Sequence, residues 1–395
     1  MFRSLPRTVI ILSVVSFLND MASDMVIPLL PILLATVLAA GPVALGLIEG
    51  VADAVASFLK LWAGRHSDAL GGRRKGLTLG GYAVSNLARP LLGLAGSWMS
   101  LLVLRSIDRV GKGIRSAPRD ALIVDSTAAE VRGAAFGFHR ALDNAGAVLG
   151  SLLAAAALTW TQASLAEVIF WSALPGLVSV ALLAFAIKEP AAAQCTAYSA
   201  TRPSLRWSLL SPAMQRYLLL LLLFTFARTS ETFIVLRGHE LQLSVAHLLV
   251  LWAALNLAKA LAAAAGGVLA DRLARSDVMF ISWGMNALLY LALSLVNGAP
   301  WLWAATLAYG AFSGLSEGAE RAAIGDLAKV EERGTAFGWY NMMLGIGAIP
   351  AGLAFGWIWA RHGASAAWIW AAIISALSAL LLRQVVAPRL RAEVQ

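Results

Sequence analysis

Twelve stretches of this sequence are apolar over a length that can cross a lipid bilayer, and few folds can be built from such a series. A membrane-spanning helix needs about 20 mostly apolar residues. Runs of that kind fall at 8–38, 43–63, 76–96, 98–125, 133–160, 164–187, 213–236, 243–270, 278–297, 299–326, 335–360 and 364–384. Joints as short as Ala40-Gly41-Pro42 and Gly96-Ser97 force their neighbours into antiparallel hairpins. The first run is too long for a cleavable signal peptide and lacks a small-residue cleavage site. Composition points the same way: 59% of the 395 residues are hydrophobic and 13% are charged. A soluble domain carries roughly 25% charged residues. The chain is therefore no soluble enzyme, disordered segment or nucleic-acid binder. Its single cysteine, Cys195, excludes a disulfide framework and a cysteine-based metal site.

Lysine and arginine placement sets the orientation. With the N-terminus inside, eighteen basic residues fall in cytoplasmic segments, against Arg237 and Arg361 in the outside joints. The even number of spans returns the C-terminus to the cytoplasm. Much of the net charge of +9 is thus a topology signal. The expected location is a bacterial cytoplasmic (inner) membrane, crossed many times. The polar stretch at 188–212 reads as a linker between a six-helix bundle at 1–187 and another at 213–395.

The two halves repeat. A shift of 201 positions lays Arg132-Gly133-Ala134-Ala135-Phe136-Gly137 on Arg333-Gly334-Thr335-Ala336-Phe337-Gly338, and Asp125 on Asp326. A shift of 203 lays Gly64 and Asp68 on Gly267 and Asp271. Parallel repeats of this size are one architecture of secondary transporters. The joint between the second and third runs reads Gly64-Arg-His-Ser-Asp68-Ala-Leu-Gly71-Gly72-Arg73-Arg74-Lys75. It resembles the G-x-x-x-D-x-x-G-R-[RK] signature of the major facilitator superfamily, with one extra glycine and with Ala69 where arginine is usual. Gly267-Val-Leu-Ala-Asp271-Arg272 is similar to the degenerate second copy, and the fourth run with its closing Arg132-Gly133 resembles the helix-4 arginine motif. The resemblance covers the whole chain. It implies an all-α membrane fold of twelve helices in two pseudo-symmetric halves that rock to give alternating access. Within the superfamily the chain is similar to a prokaryotic branch with some likeness to drug–proton antiporters. Gly146-Ala-Val-Leu-Gly150 matches the start of the antiporter helix-5 motif, but Ser151 and Ala154-Ala155 replace its later proline and glycines.

By that resemblance, Asp68, Arg73, Arg74, Asp125 and Arg132 gate the inner face, with Asp271, Arg272, Asp326 and Arg333 as their second-half counterparts. Gly111, Gly113, Gly137, Gly146 and Gly150 are expected to let helices approach closely. The fourteen tryptophans read as interfacial anchors and lipid contacts.

A charge at the bilayer centre costs about 2.5–3.5 kcal/mol on insertion scales, so charges there are usually functional. The fourth run carries Arg105, Asp108, Arg109, Lys112, Arg115, Arg119 and Asp120. At 100° per residue all but Arg115 share an arc of about 120°. Over all spans eleven basic residues face ten acidic ones, so internal pairing competes with an open basic vestibule. By depth, Arg105 and Arg109 match Asp20, Asp24, Glu49 and Asp53. In the superfamily, helices 1, 4, 7 and 10 line the cavity. The expected substrate-binding residues are Asn19, Asp24, Arg105, Arg109, Lys112, Arg228, Glu231, Tyr309 and Arg321. The expected proton-coupling residues are Asp20, Asp24, Glu317, Asp143 and His139, the last two spaced for an i,i+4 contact.

The expected activity is secondary transport of a small polar solute, an organic anion or zwitterion, coupled to protons. The alternative is multidrug–proton efflux. No P-loop or nucleophile-elbow serine motif is present, so neither ATP-driven transport nor an enzyme is indicated. No cofactor or metal is expected. The expected partners are the solute, protons and lipid, with no nucleic acid, and the chain is expected to act as a monomer.

Overall fold

The computed structural model describes residues 5–69, 74–128, 131–187, 205–228, 230–270, 275–316 and 333–386. These residues form helices and their joints, with no strand among them. The first run folds as α1 (Arg7–Asp24), a 3₁₀ turn (Ile27–Leu29) and α2 (Leu30–Thr36). Then follow α3 (Pro42–Ala69), α4 (Lys75–Leu91), α5 (Trp98–Asp125) and α6 (Arg132–Trp160). The sixth run is α7 (Leu165–Trp171) and α8 (Ala173–Ala186), and the seventh is α9 (Pro212–Ala227) and α10 (Thr232–Glu240). After these come α11 (Val245–Ala270), α12 (Arg275–Ser294), α13 (Ala299–Ser316) and α14 (Arg333–Leu381).

Three local causes shape these elements. Pro28 and Pro31 carry no N–H and interrupt the ladder after α1. At Arg228 the backbone turns extended, with ψ 106°, and ends α9 in mid-span. Gly363 sits at φ 84°, ψ 170° inside α14, a conformation that favours glycine, and it marks the joint expected between the last two runs. Seven described stretches are long and apolar enough to cross a membrane, and the last, Thr335–Gln384, spans 50 residues. That length accommodates two crossings of about 20 residues each. The charge-laden α5 is not among the seven.

The chain divides into two compact units. One comprises described residues of Met1–Ala39, Val55–Arg202 and Ser244–Ala253; the other comprises those of Ala40–Ala54, Pro203–Leu243 and Ala254–Gln395. This grouping cuts differently from the expected bundles, since 40–54 and 244–253 change sides. In the first unit α1 packs on α6 and α8, and α4 packs on α5 and α8. In the second, α9 and α12 pack on α14, and α12 packs on α13.

Two of the first unit's contacts depend on glycine. A Cβ on Gly146 or Gly150 of α6 would lie 2.2 Å from the carbonyl oxygen of Phe17 or Met21 on α1. A Cβ on Gly111 of α5 would lie 2.4 Å from the Gly81 oxygen on α4. Lipid tails are as apolar as leucine, so such backbone approach is what holds membrane helices together. Gly137 corrects the expectation: an added Cβ there meets nothing within 4 Å.

The tryptophans divide. Trp62, Trp160, Trp171, Trp301 and Trp357 are exposed, as anchors and lipid contacts would be. Trp252, Trp283, Trp359 and Trp368 are buried and are not lipid contacts. Trp359 and Trp368 form an aromatic cluster in the second unit with Phe233, Phe355 and Tyr290.

Candidate functional site

The glycine-mediated approach of α4 to α5 brings Arg89 to Asp108. Arg89 Nη2 donates to Asp108 Oδ1 at 3.0 Å, and Arg105 Nη1 donates to Asp108 Oδ2 at 3.1 Å. Side-chain exposures of 1–3% place all three out of contact with solvent or lipid. One carboxylate thus holds two guanidinium groups. Arg105 pairs along its own helix with Asp108, whose other oxygen is held by Arg89 of α4. The i,i+3 spacing puts Arg105 and Asp108 on one face of α5.

This triad continues into α1. Arg89 Nη1 donates to Asn86 Oδ1 at 2.8 Å and to the Asn19 carbonyl at 3.3 Å. Asn86 Nδ2 donates to Asn19 Oδ1 at 3.2 Å, and Asn19 Nδ2 donates to Asp20 Oδ1 at 2.9 Å. Asn19 and Asp20 are thereby tied to the arginine cluster. Arg109 and Arg115 are buried and act electrostatically on Asp108. Lys112, on the same helix, is exposed.

A second polar cluster joins α1, α4, α5 and α6. Ser16 Oγ lies 2.9 Å from the Tyr82 hydroxyl and 3.4 Å from His139 Nε2, and it accepts from Arg119 Nη1 at 3.2 Å. Arg119 pairs with Asp120 at 2.8 Å. His139 Nε2 is 3.6 Å from Asp143 Oδ2, the i,i+4 contact expected from the sequence. Arg115 donates to Ser85 Oγ at 2.9 Å, and its guanidinium lies 4.6 Å from the Tyr82 ring centroid.

Asp24 closes α1 and is buried. Its Oδ1 accepts the Trp252 indole N–H at 2.7 Å. Trp252, Asn86, Ser16 and Tyr82 were not foreseen as site residues. Asn86 and Arg89 are spaced i,i+3 on one helix face, which is a usable signal; nothing local points to Trp252.

In the second unit Glu231 forms an ion pair with Lys259. Arg228 is exposed, with its guanidinium 5.3 Å from the Phe224 ring centroid. Tyr309 is buried, with its ring 6.1 Å from that of Tyr290.

At the inner end, Arg74 Nη1 is 2.9 Å from Asp125 Oδ2. The side chains of Asp68, Arg132 and Arg333 lie outside the described residues, as do Arg73, Asp271, Arg272, Glu317, Arg321 and Asp326. Among the described residues, no group of three or more His, Cys, Asp or Glu is placed to hold a metal ion.

Helices of membrane-spanning length, two repeated halves and buried charge networks define a multi-pass membrane transporter. The family model of the Major Facilitator Superfamily matches residues 12–249 and 217–394, and the chain belongs to that superfamily. It is a secondary transporter of the superfamily, whose members bind small-molecule substrates within the membrane, and not an enzyme. It is 29% identical over 388 residues to the MFS-type transporter MJ1317 of Methanocaldococcus jannaschii, covering 96% of this chain and 95% of that one. It is 29% identical over 364 residues to Rv2265 of Mycobacterium tuberculosis, covering 89% and 87%. Among solved structures, its fold is similar to a POT family transporter in complex with 5-aminolevulinic acid, with a TM-score of 0.80, 12% identity and coverage of 99% and 98%. The nucleoside transporter NupG gives 0.76, 14% identity and coverage of 96% and 100%. The human organic anion transporter MFSD10 gives 0.68, 17% identity and coverage of 95% and 99%.

Proposed function

We propose that this transporter moves a small polar solute, an organic anion or zwitterion, by proton-coupled alternating access across a bacterial cytoplasmic membrane. The observation that carries the reading is the sharing of Asp108 between Arg89 and Arg105. Two guanidinium groups thereby gather at one carboxylate on the charged face of α5. Arg109 and Lys112 lie on the same helix, and guanidinium forks suit carboxylate and phosphate. In this reading exposed Lys112 meets the solute, and buried Arg109 is uncovered to meet it as the transporter changes conformation. Asp20, Asp24 and the Asp143–His139 pair are the proton carriers. Arg74 and Asp125 form part of the inner gate. The Lys/Arg asymmetry of the sequence supports the membrane orientation. Solved neighbours named for an organic anion, for a nucleoside and for a complex with 5-aminolevulinic acid use the same fold for polar solutes.

Multidrug–proton efflux is the second reading, and one observation favours it. Arg105 with Asp108 and Arg119 with Asp120 are internally paired, which mutes the basic face that an anion would meet. Thermal melting of detergent-purified protein separates the two. A ligand of the folded state raises apparent stability by RT ln(1 + [L]/Kd). The reading expects stabilisation by carboxylated or phosphorylated metabolites, lost in Arg109→Ala. Stabilisation by lipophilic cations alone would replace it with multidrug efflux.

A further inference from the structure

The ion pairs of the spanning helices differ in one respect that matters for ligands. Asp108 and its two arginines are 1–3% exposed, whereas Lys259 and Glu231 are 21% and 22% exposed. A charged group exposed on a spanning helix faces a water-filled space, because lipid penalises it by about 2.5–3.5 kcal/mol. The Glu231–Lys259 pair is therefore within reach of a solute.

Its position reinforces this. Glu231 lies in the gap between α9 and α10, where the seventh span leaves helical geometry at Arg228. The first span breaks after Asp24, and Asp24 and Ala227 are the last residues of α1 and α9. These two ends are 203 positions apart, the offset that superposes Gly64 and Asp68 on Gly267 and Asp271. Interrupted helices at corresponding positions of two repeats mark the binding site in several transporter folds. Around the break, Ser230 Oγ and Thr232 Oγ1 are 2.8 Å apart, and Arg228 is exposed.

We propose that the Glu231–Lys259 pair is a station for a zwitterionic solute bearing one ammonium and one carboxylate. The ammonium takes the place of Lys259 on Glu231. The carboxylate is received by Lys259 and by Arg228 at the break. Each charge then exchanges one partner for another of the same sign, so no charge within the span is left bare, and a solute with a single charge leaves one of the two protein groups unmatched. The flexible lysine stem allows the exchange without moving the backbone. This rests on the reading of a small polar solute and narrows it to the zwitterion.

The test uses full-length protein in detergent, with calorimetric titration and thermal melting against ω-amino acids from glycine to 5-aminopentanoate. Butyrate, butylamine, succinate, inorganic phosphate and tetraphenylphosphonium complete the panel. The station predicts binding of at least one ω-amino acid at concentrations where butyrate and butylamine give no shift. It predicts that Glu231→Gln and Lys259→Met each weaken that binding about tenfold or more. The charge swap Glu231→Lys with Lys259→Glu restores the pair, and it is expected to keep the ω-amino acid within about threefold of its original affinity. If a single variant fails to fold, the charge swap decides. No binding across the ω-amino acids overturns the station, and so does binding that both single variants leave unchanged. Succinate or phosphate binding that is lost in Arg109→Ala but kept in Glu231→Gln overturns the station while the anion reading stands. Binding of tetraphenylphosphonium alone overturns both.

Discussion

Replacing Asp108 with asparagine strikes the carboxylate that Arg89 and Arg105 share. The substitution keeps shape and one acceptor oxygen, but removes the negative charge. Two charge-assisted hydrogen bonds lose their ionic partner, and each such bond contributes about 1.5–3 kcal/mol. Both guanidinium groups stay buried, at 3% and 1% side-chain exposure, so water does not replace what is lost. Breaking a buried pair from one side costs about 3–5 kcal/mol in soluble proteins. Hydrogen bonds between membrane helices are worth less, about 0.6 kcal/mol on average and about 1.7 at most, because the unfolded helices find other partners. The remaining amide oxygen also accepts one bond. We therefore expect a loss of about 3 kcal/mol for Asp108→Asn. Arg105→Leu keeps the Arg89–Asp108 pair and leaves no bare guanidinium behind, so a smaller loss than for Asp108→Asn is expected. Equilibrium unfolding of the purified variants in mixed micelles reads both values. The reasoning fails if Arg105→Leu costs as much as Asp108→Asn, or if Asp108→Asn melts like the parent.

Further outcomes follow from single contacts. Gly150→Leu places side-chain atoms where the Met21 carbonyl stands, 2.2 Å from an ideal Cβ, and should destabilise by about 1–3 kcal/mol or more; size-exclusion profiles of the detergent extract check it. Gly137→Ala, with nothing within 4 Å, should elute and melt like the parent. Trp252→Phe removes the N–H that Asp24 Oδ1 accepts and should cost about 1–3 kcal/mol, read by thermal melting of the purified variant. Arg74→Ala breaks a pair whose acidic partner is 26% exposed, so stability should fall by about 1 kcal/mol or less while transport rates change; the swap Arg74→Asp with Asp125→Arg should restore transport.

The helices were legible because their signal is local. The expected runs at 98–125 and 133–160 coincide to within one residue with α5 and α6. The charged face of α5 was equally readable from a 100° wheel. Partner choice was not. Arg105 meets an acid three positions away on its own helix, and Gly81 with Gly111 let Arg89 of α4 reach the same carboxylate, a meeting that no local pattern records. Pro28 and Pro31 announce the break in the first span. The break at Arg228 has no proline or glycine beside it and shows in the sequence only as the polar run Arg228-Thr229-Ser230-Glu231. The Asp24–Trp252 bond joins residues 228 positions apart, and no periodicity records such a meeting. Buried Trp283 and Trp368 went unseen because the count of tryptophans says nothing about which face each helix turns inward.

The most direct test of the transport account is flux in proteoliposomes under an imposed pH gradient. The assay compares a labelled zwitterion or organic anion with a lipophilic cation. The account predicts movement of the zwitterion or anion that depends on the gradient, collapses when a protonophore dissipates it, and is lost in Arg109→Ala protein that still folds. Gradient-driven movement of the cation alone, unchanged in Arg109→Ala, would contradict it.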